Sequence, residues 1–336
     1  MYANLQDALQ FKNVPGASSI IDEVLNVCPE FTGIDTYNGG RKVPLDYGTE
    51  ESDTMETLFM TSVPTVNPYR NINAGVLPNK GTYEKRLAQL VTATAVWGID
   101  KAIVERRPKE AAVLIEQKAK QEVKSHIQAH GKQFFYGKKK GGYSEGFPGL
   151  IELMDSSQVI SAGGTGNKLT SAYFVWFNEE GVSWRFGLNG SMTMSDLKEE
   201  LIPDPNNPAK SYPGFRQYMQ YHLGLKVSNK YSVARIANID VSSAYTGDLS
   251  PTAFTDAHIY KLLTKLPGGM KPNAVFLPYV AALLLAPSRT TVNIAQGSNG
   301  NNVIVGGQTP PVTEFEGIPF IPTDSITIGE TVVTVS

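Results

Sequence analysis

The sequence is poor in the residues that carry most metal and redox chemistry. Its single cysteine, Cys28, can form neither an internal disulfide nor a cysteine-held zinc or iron–sulfur site. Charged residues make up 18% of the 336 positions, below the roughly 25% usual for soluble domains. The formal net charge of -2 argues against a polycationic protein that binds nucleic acid by neutralising many phosphates. Low charge suits a subunit that covers much of its surface with neighbours.

Long apolar runs are also missing. The longest, residues 274–286, is too short to span a bilayer and contains Pro278. The first residues lack the basic and then apolar layout of a signal peptide. We therefore expect no membrane partner, whereas the 41% hydrophobic content predicts a folded protein with a sizeable core.

Motifs for catalysis are absent or incomplete. His126 and His130 have the i, i+4 spacing that lets two histidines reach one metal, but the zincin motif needs a glutamate after the first histidine, and position 127 is Ile. His222 and His258 have no acidic cluster spaced around them, and no Gly-x-Ser-x-Gly elbow occurs. The sequence predicts no enzyme, cofactor or metal, and a metal-dependent hydrolase using His126 and His130 is the remaining catalytic alternative.

A projecting hairpin and a long helix are predicted in the first half of the chain. Residues 55–63 and 82–97 favour strands, and residues 64–81 between them are rich in Pro, Asn and Gly. Pro108 suits the first position of a helix over 109–130. Its narrow apolar stripe is Ala112, Ile115, Ala119, Val123 and Ile127. The hairpin tip has too few apolar residues to stand alone, and the helix should lie along a sheet or a neighbour.

The remaining pattern mixes strands and short helices, which predicts an α+β fold. Residues 1–40 read as an arm with little core of its own. We predict strands at 173–177, 184–188, within the tyrosine-rich 212–240, and at 274–277, 315–322 and 331–335; helices at 255–266 and 279–286; and loops at 203–208 and 297–307. Lys138, Lys139 and Lys140 form a basic turn that could contact DNA, contact a neighbour, or simply be solvated.

Several segments make the chain resemble the major capsid proteins of tailed bacteriophages, with the Hong Kong 97-like fold, in the group of permuted topology. The strongest are Gly224-Leu225 and Val233-Ala-Arg-Ile-Ala-Asn-Ile-Asp240, supported by Ile99-Asp-Lys-Ala102, Phe135-Tyr-Gly137, Gly181-Val182 and Gly317-Ile-Pro319. The resemblance covers most of residues 35–325. It implies an N-terminal arm at 1–40, an E-loop hairpin with flanking peripheral-domain strands at 41–100, a peripheral-domain spine helix and basic turn at 101–145, and an axial domain with a mixed sheet and returning peripheral-domain strands at 146–336.

The same resemblance implies self-assembly into an icosahedral shell of hexamers and pentamers around double-stranded phage DNA. Implied partners are a portal protein, a decoration protein, and packaged DNA held by non-specific contact; the implied location is the virion capsid, assembled in the host cytoplasm. The short arm leads us to expect a separate scaffolding protein and no N-terminal cleavage. The alternative within this fold is an encapsulin-like nanocompartment shell.

Inter-subunit contacts are expected mainly on the hairpin. The nominated residues are Arg41, Pro64, Tyr69, Arg70, Asn71, Lys80 and Lys85. Some relatives join lysine to asparagine between subunits, and Lys80 is the lysine we nominate for such a crosslink. Lys138, Lys139 and Lys140 are nominated as a basic turn facing DNA or a neighbouring subunit.

Overall fold

Two β-sheets organise the part of the chain that the computed structural model describes. The described residues are 3–4, 28–32, 47–50, 54–62, 69–75, 80–106, 108–109, 111–139, 141–187, 191–204, 207–246, 254–267, 271–285, 291–296, 302–308 and 314–335. The nominated residues Arg41, Pro64 and Lys140 lie outside these ranges. No helix in the described ranges is long and apolar enough to cross a membrane.

Helices and strands follow one another along the whole described chain. The helices are α1 (Pro29–Thr32), α2 (Lys101–Arg106), α3 (Ala111–Tyr136), α4 (Leu150–Leu153), α5 (Ser242–Thr246), α6 (Asp256–Leu263) and α7 (Tyr279–Leu283). The strands are β1 (Ala3–Asn4), β2 (Tyr47–Glu50), β3 (Thr54–Ser62), β4 (Thr82–Gln89), β5 (Val91–Asp100), β6 (Val159–Ser161), β7 (Leu169–Val175), β8 (Val182–Gly187), β9 (Ser191–Met194), β10 (Lys198–Asp204), β11 (Asn207–Val227), β12 (Val233–Asp240), β13 (Ala274–Leu277), β14 (Thr291–Gln296), β15 (Asn302–Gln308), β16 (Glu314–Phe315) and β17 (Ile318–Pro322).

The first sheet is built around β11, which runs for 21 residues. It pairs antiparallel with β10, β5, β9 and β8 along successive parts of its length, and β1 and β2 extend the sheet through β9 and β8. Every second side chain of its last half is buried: Met219, Tyr221, Leu223, Leu225 and Val227. This period of two places one face of the tyrosine-rich segment on the core, as side chains alternate across a pleated strand.

The second sheet has the order β16-β17-β13-β7-β12-β6 among the described strands, and it lies inside the protein. Strands β7 and β13 are buried along their whole length. Their side chains divide between two apolar clusters: Tyr173 and Val175 join the cluster beneath α3, whereas Ala172 and Phe174 join the cluster beneath α6 and α7. A sheet covered on both faces explains why these strands are nearly continuous apolar runs.

The long helix α3 begins and ends later than the predicted 109–130. Asp100 Oδ1 accepts a hydrogen bond from Ala102 N at 2.8 Å, which supports an earlier short helix, α2, and leaves Pro108 and Lys109 in a turn. The apolar stripe is confirmed in its second half, since Ala119, Val123 and Ile127 pack on the first cluster, whereas Ala112 is exposed. The last turn, which lies beyond the predicted end of the helix, is part of the core. There Phe134, Phe135 and Tyr136 are buried, and their packing extends the helix.

Three further expectations differ from the structure. The predicted loop at 203–208 is largely taken up by β10 and β11, with a register shift at Pro203 and Asp204 where proline is tolerated. The predicted loop at 297–307 contains β15, which pairs with β14. The predicted strand at 331–335 has no ladder: Val333 N donates to Asn238 Oδ1 and Asn238 Nδ2 donates to Val333 O, both at 2.8 Å. One side-chain amide there replaces a neighbouring strand.

Candidate functional site

The β3–β4 hairpin forms a two-stranded sheet of its own, apart from the two large sheets. The two strands pair with each other and with no other described strand, from Thr54 opposite Gln89 to Ser62 opposite Thr82. Met55 near the base is buried, whereas Tyr83 near the tip is exposed. Arg86 Nη1 donates to the carbonyl of Leu153 at 3.2 Å, which ties the basal half of the hairpin to α4. The other half therefore projects.

The described part of the hairpin tip, residues 69–75, presents large apolar side chains to solvent. Tyr69 and Ile72 are 86% and 94% exposed. A turn holds this segment, with Ala74 N donating to Asn71 O at 3.0 Å and Arg70 Nη1 donating to Ala74 O at 3.2 Å. A shaped and exposed apolar tip is the kind of surface that a partner covers.

Four of the nominated residues are exposed in the segment that joins β3 to β4: Tyr69, Arg70, Asn71 and Lys80. Lys85 lies elsewhere, in the middle of β4, where its Nζ forms a 2.8 Å ion pair with Glu56 Oε2 across the hairpin. That pair is exposed on both sides, so its contribution to stability is small. Lys85 therefore has a partner within its own subunit.

The basic turn is present and exposed at the end of α3. Lys138 and Lys139 are both exposed. The turn is held from below, because Lys138 N donates to Glu152 Oε2 at 3.1 Å and Gly142 N donates to Lys139 O at 3.0 Å. Gly137 has a φ of 59°, a left-handed conformation that glycine adopts without strain. The backbone of the turn is thereby fixed, and two lysine side chains extend from it at the surface.

The histidine pair of the hydrolase alternative is built for packing. The ring centroids of His126 and His130 lie 5.9 Å apart, but a nitrogen of the buried His130 is hydrogen-bonded to the hydroxyl of Tyr221. Burial lowers the pKa of His130 to about 3, so its ring is neutral in ordinary buffers. Within the described ranges, no group of three or more His, Cys, Asp or Glu side chains is placed to hold a metal. A third ligand for this alternative is not present there.

A cleft of about 430 Å³ lies between α3 and the first residues of β5. We call it the α3–β5 cleft. Its walls include Thr92 and Thr94 from β5, Glu122 and His126 from α3, and Glu145 from the following turn region. Burial lowers the pKa of His126, which keeps this ring neutral. Glu122 and Glu145 are the charged residues lining the cleft in the described structure, so its charge is negative.

The sequence pattern did not reveal that part of the predicted arm is anchored in the core. Cys28 and Glu30 are buried, and Trp184 Nε1 donates to Glu30 O at 3.0 Å. Thr323 Oγ1 donates to Glu30 Oε2 at 3.0 Å, while Oε1 has no hydrogen-bond partner among the described residues. Burial raises the pKa of Glu30 to about 7 and that of Cys28 to about 12. Cys28 was the one feature of the sequence that pointed to a buried segment here, because cysteine is often fully buried.

A second internal network, also missed, fastens the C-terminal segment to β12 and α3. Arg235 Nη2 and Glu330 Oε2 form a 3.0 Å ion pair in which each side chain is 7% exposed. Tyr136 Oη donates to Glu330 Oε1 at 2.6 Å, and Ser171 Oγ bonds both the carboxylate and Arg235. Burial raises the pKa of Tyr136, which keeps its hydroxyl a donor. Arg235 lies within the apolar run 233–239, and a charged residue in such a run indicates that it is buried with a partner of opposite charge.

Comparison with known proteins gives two kinds of match. A sequence model of the family described as major capsid protein GP7 matches residues 48–334. A structure of bacteriophage epsilon15 superposes with a TM-score of 0.59 at 20% identity, covering 86% of this chain and 88% of that chain. At that identity the likeness shows the fold. A search of curated proteins found no match.

Two further solved structures match less well. The capsid of bacteriophage JBD30 gives a TM-score of 0.47 at 12% identity, covering 84% of this chain and 88% of that one. The holo-SrpI encapsulin complex from Synechococcus elongatus PCC 7942 gives 0.39 at 10% identity, covering 61% and 94%.

Proposed function

Because this chain belongs to the GP7 family of major capsid proteins, we propose that it builds the icosahedral shell enclosing the double-stranded DNA of a tailed bacteriophage. Family membership makes it a shell-forming capsid protein with a structural role. Its mixed helix-and-sheet architecture is the Hong Kong 97-like capsid fold that it shares with the epsilon15 structure. Hexamers and pentamers, the scaffolding and portal partners, decoration, packaged DNA and assembly in the host cytoplasm all belong to the proposal.

The observation that carries the proposal is the projecting β3–β4 hairpin. Its tip exposes Tyr69 and Ile72, while its base is fixed to the body of the subunit by Arg86. These two large side chains bury little surface in a monomer, whereas a subunit surrounded by copies of itself can bury them at each contact. Tyr69, Arg70, Asn71 and Lys80 are thus the inter-subunit residues that we favour, and Arg41, Pro64 and Lys85 remain nominated.

Subdomain assignments follow from the two sheets. We assign the β11-centred sheet, the hairpin and α3 to a peripheral domain, with residues 41–100 as E-loop hairpin and flanking strands and 101–145 as spine helix and basic turn. The six-stranded sheet with α6 and α7 is assigned to an axial domain within residues 146–336, and residues 1–40 to the arm. The pairing of β11 with β5, and of β8, β9 and β10 with β11, supports strands that return to the peripheral domain. Permuted topology is proposed on the segments 224–225 and 233–240 alone.

The basic turn is proposed to contact packaged DNA or a neighbouring subunit. Lys138 and Lys139 are exposed, and the backbone N–H of Lys138 donates to the carboxylate of Glu152 beneath the turn. Lysine side chains held at a surface can neutralise phosphates without reading sequence. A contact of this kind is local, because the whole chain carries a net charge of -2.

Electron microscopy of particles purified from infected cells tests the proposal. We expect closed shells of one size that contain DNA. Shells holding a protein cargo would support the nanocompartment alternative instead, and a small globular monomer under assembly conditions would overturn the assignment. The intact mass of the particle-bound subunit tests whether the N-terminus is cleaved, and denaturing gels test whether Lys80 joins subunits covalently.

A further inference from the structure

Residues 28–32 are fastened to the body of the subunit by buried contacts with three distant segments. Trp184 Nε1 of β8 donates to Glu30 O at 3.0 Å, and α1 packs on α3. Thr323 Oγ1 of the C-terminal segment donates to Glu30 Oε2 at 3.0 Å. These contacts hold one point of the predicted N-terminal arm against the core. We call residues 28–32 the arm clasp.

A glycine of α3 makes room for the arm clasp. A Cβ atom at Gly131 would lie under 3.0 Å from both Glu30 Oε1 and Ser325 Oγ, closer than real Cβ atoms approach, and 3.2 Å from Cys28 Sγ. Any side chain at this position would therefore push the clasp away from the helix. Glycine is unfavourable in a helix interior relative to alanine, so its presence at this contact fits a packing role.

The carboxyl of Glu30 lies where a negative charge is poorly stabilised. The residue is fully buried, Oε1 has no hydrogen-bond partner among the described residues, and Oε2 accepts from a neutral hydroxyl. Burying a carboxylate under these conditions is costly, whereas burying the protonated acid costs much less. Burial accordingly raises the pKa of Glu30 to about 7. The clasp is thus closed around a carboxyl that favours its neutral form.

The charged and titratable groups around the clasp do not reverse this preference. Asp324 of the C-terminal segment adds like charge, which raises the pKa of the carboxyl further. From α3, Lys132 is exposed, and its charge acts on Cys28. Arg185 of β8 points to the opposite side of the strand from its neighbour and lies against Gly48 of β2. Burial raises the pKa of the Cys28 thiol to about 12, so the thiol is neutral as well.

From this arrangement we propose that the arm clasp is a pH-sensitive fastening: the neutral Glu30 carboxyl keeps residues 28–32 in place, and its ionisation favours their opening while both sheets stay folded. The clasp lies between β1 and β2 in the chain, so its opening frees the connection between these strands from the core. Because the pKa of the carboxyl is raised in the closed state, the closed clasp is favoured most below about pH 4.5, and this advantage is lost as the pH rises through 7. The clasp belongs to the single subunit and goes beyond the proposed shell function.

Cys28 reports the state of the clasp, because it is the single cysteine of the chain and is 1% exposed. When the clasp opens, its thiol can exchange with a dipyridyl disulfide, forming a mixed disulfide and releasing pyridinethione. We expect the labelling rate of wild type, divided by that of Glu30→Gln at the same pH, to rise roughly 50- to 100-fold between pH 5 and pH 8. The division cancels the pH dependence of the thiol itself. A ratio that changes by less than about twofold would overturn the proposal.

A thiol in the buried six-stranded sheet separates local opening from unfolding of the whole subunit. Ala172→Cys in a Cys28→Ser chain places this thiol on β7, at a position that is fully buried. At pH 8 it should be labelled at least about tenfold more slowly than Cys28 in wild type, because a local opening needs less free energy than global unfolding. Equal rates at the two positions would mean that the subunit unfolds as a whole and that no separate clasp exists.

Gly131→Ala tests the geometry without changing a charge. Its Cβ would displace the Glu30 carboxyl, so Cys28 should be labelled at least about tenfold faster than in wild type at pH 5, although alanine favours a helix more than glycine does. Ser125→Ala, on an exposed position of α3, is the matched control and should label as wild type. Unchanged or slower labelling of Gly131→Ala would contradict the clasp.

These measurements use the full chain below the concentration at which it assembles. Their outcome is therefore separable from that of the shell experiment. If labelling shows no pH-dependent opening while the wild-type chain forms shells, the clasp alone fails; if the chain forms no shells but the clasp opens as described, the capsid proposal alone fails.

Discussion

The β3–β4 hairpin and the six-stranded sheet are both made of extended chain, yet their surroundings are opposite. In the sheet, β7 and β13 are buried along their whole length, and side chains on either face pack into two apolar clusters. In the hairpin, the tip side chains Tyr69 and Ile72 lie almost wholly in solvent. Strand formation alone does not say what stabilises a strand. The sheet is complete within the subunit, whereas we propose that the hairpin acquires its burial from a neighbour.

This contrast predicts where substitutions affect the free energy of unfolding of the isolated subunit, measured with urea below the concentration at which it assembles. Changes in the sheet and its attached segments should destabilise the subunit. Changes in the outer hairpin should leave subunit stability nearly unaltered and act on assembly.

The largest effect is expected at the buried ion pair between Arg235 and Glu330. Replacing Glu330 with Ala leaves the guanidinium buried without its charge partner, and removing one member of such a pair costs about 3–5 kcal/mol. Tyr136 and Ser171 would lose an acceptor as well. Urea unfolding checks this value, with Glu179→Ala in an exposed turn as the control. A loss as small as the control's would show that the network does not hold the C-terminal segment.

A smaller, pH-dependent effect is expected at Glu30. Its folded pKa of about 7 is raised above the ordinary 4.5, so protonation favours the folded state. The favourable contribution is fully present below about pH 4.5 and is lost as the pH rises through 7. Glu30→Gln removes this dependence. The free energy of unfolding of the variant minus that of wild type should therefore rise by roughly 2–3 kcal/mol between pH 5 and pH 8.

Urea midpoints of both proteins at the two pH values measure that difference. Taking the difference cancels the titration of other groups, such as His130, whose lowered pKa works in the opposite direction as the pH falls. Glu179→Gln is the exposed control and should run parallel to wild type. A Glu30→Gln curve that also runs parallel would mean that the Glu30 carboxyl is charged and solvated in the folded subunit.

A still smaller effect is expected for the exposed pair of Lys85 and Glu56 on the hairpin. A double-mutant cycle with Lys85→Ala and Glu56→Ala should give a coupling of about 0.2–1 kcal/mol, because both side chains are solvated and screened by salt. The coupling should decrease in 1 M salt. A coupling above the Arg235–Glu330 loss would reverse the ranking of the two regions.

The smallest effect on subunit stability is expected at the hairpin tip. Tyr69→Ala with Ile72→Ala removes two side chains that bury almost nothing in the subunit, so unfolding should change by less than about 0.5 kcal/mol. Shell formation, followed by sedimentation, should nevertheless fall sharply. The matched control is Tyr260→Ala, at a half-exposed tyrosine of α6 outside the hairpin. Normal shells from the tip variant would mean that the tip is not an assembly contact.

Local sequence patterns predicted the elements whose stability is local. The hairpin followed from two strand-forming runs around a Pro- and Asn-rich segment, and α3 from an apolar stripe at spacings of three and four. Patterns failed where a distant partner decides the conformation. The Gly- and Asn-rich residues 302–308 form a strand because β14 pairs with them, and residues 331–335 do not, because Asn238 binds Val333.

The candidate site divides in the same way. The tip residues Tyr69, Arg70, Asn71 and Lys80 could be nominated from sequence because a polar, proline-rich hairpin end is a local feature. Lys85 was nominated with them but has Glu56 as a partner, which only the strand register shows. The α3–β5 cleft joins residues 91–94 to Glu122 and Glu145, and nothing local relates these segments.

The amino-acid sequence by itself determined the class of this protein: an α+β chain with one cysteine, little charge, no complete catalytic motif, a long hairpin and a long helix. Tertiary structure alone decided which charges face inward, where Glu30 and Glu330 are anchored, and that an acidic cleft opens between α3 and β5. The physical reason is the distance along the chain over which each interaction acts. Propensity and periodicity act over a few residues, whereas burial, ion pairing and cleft shape depend on segments that meet only when the chain folds.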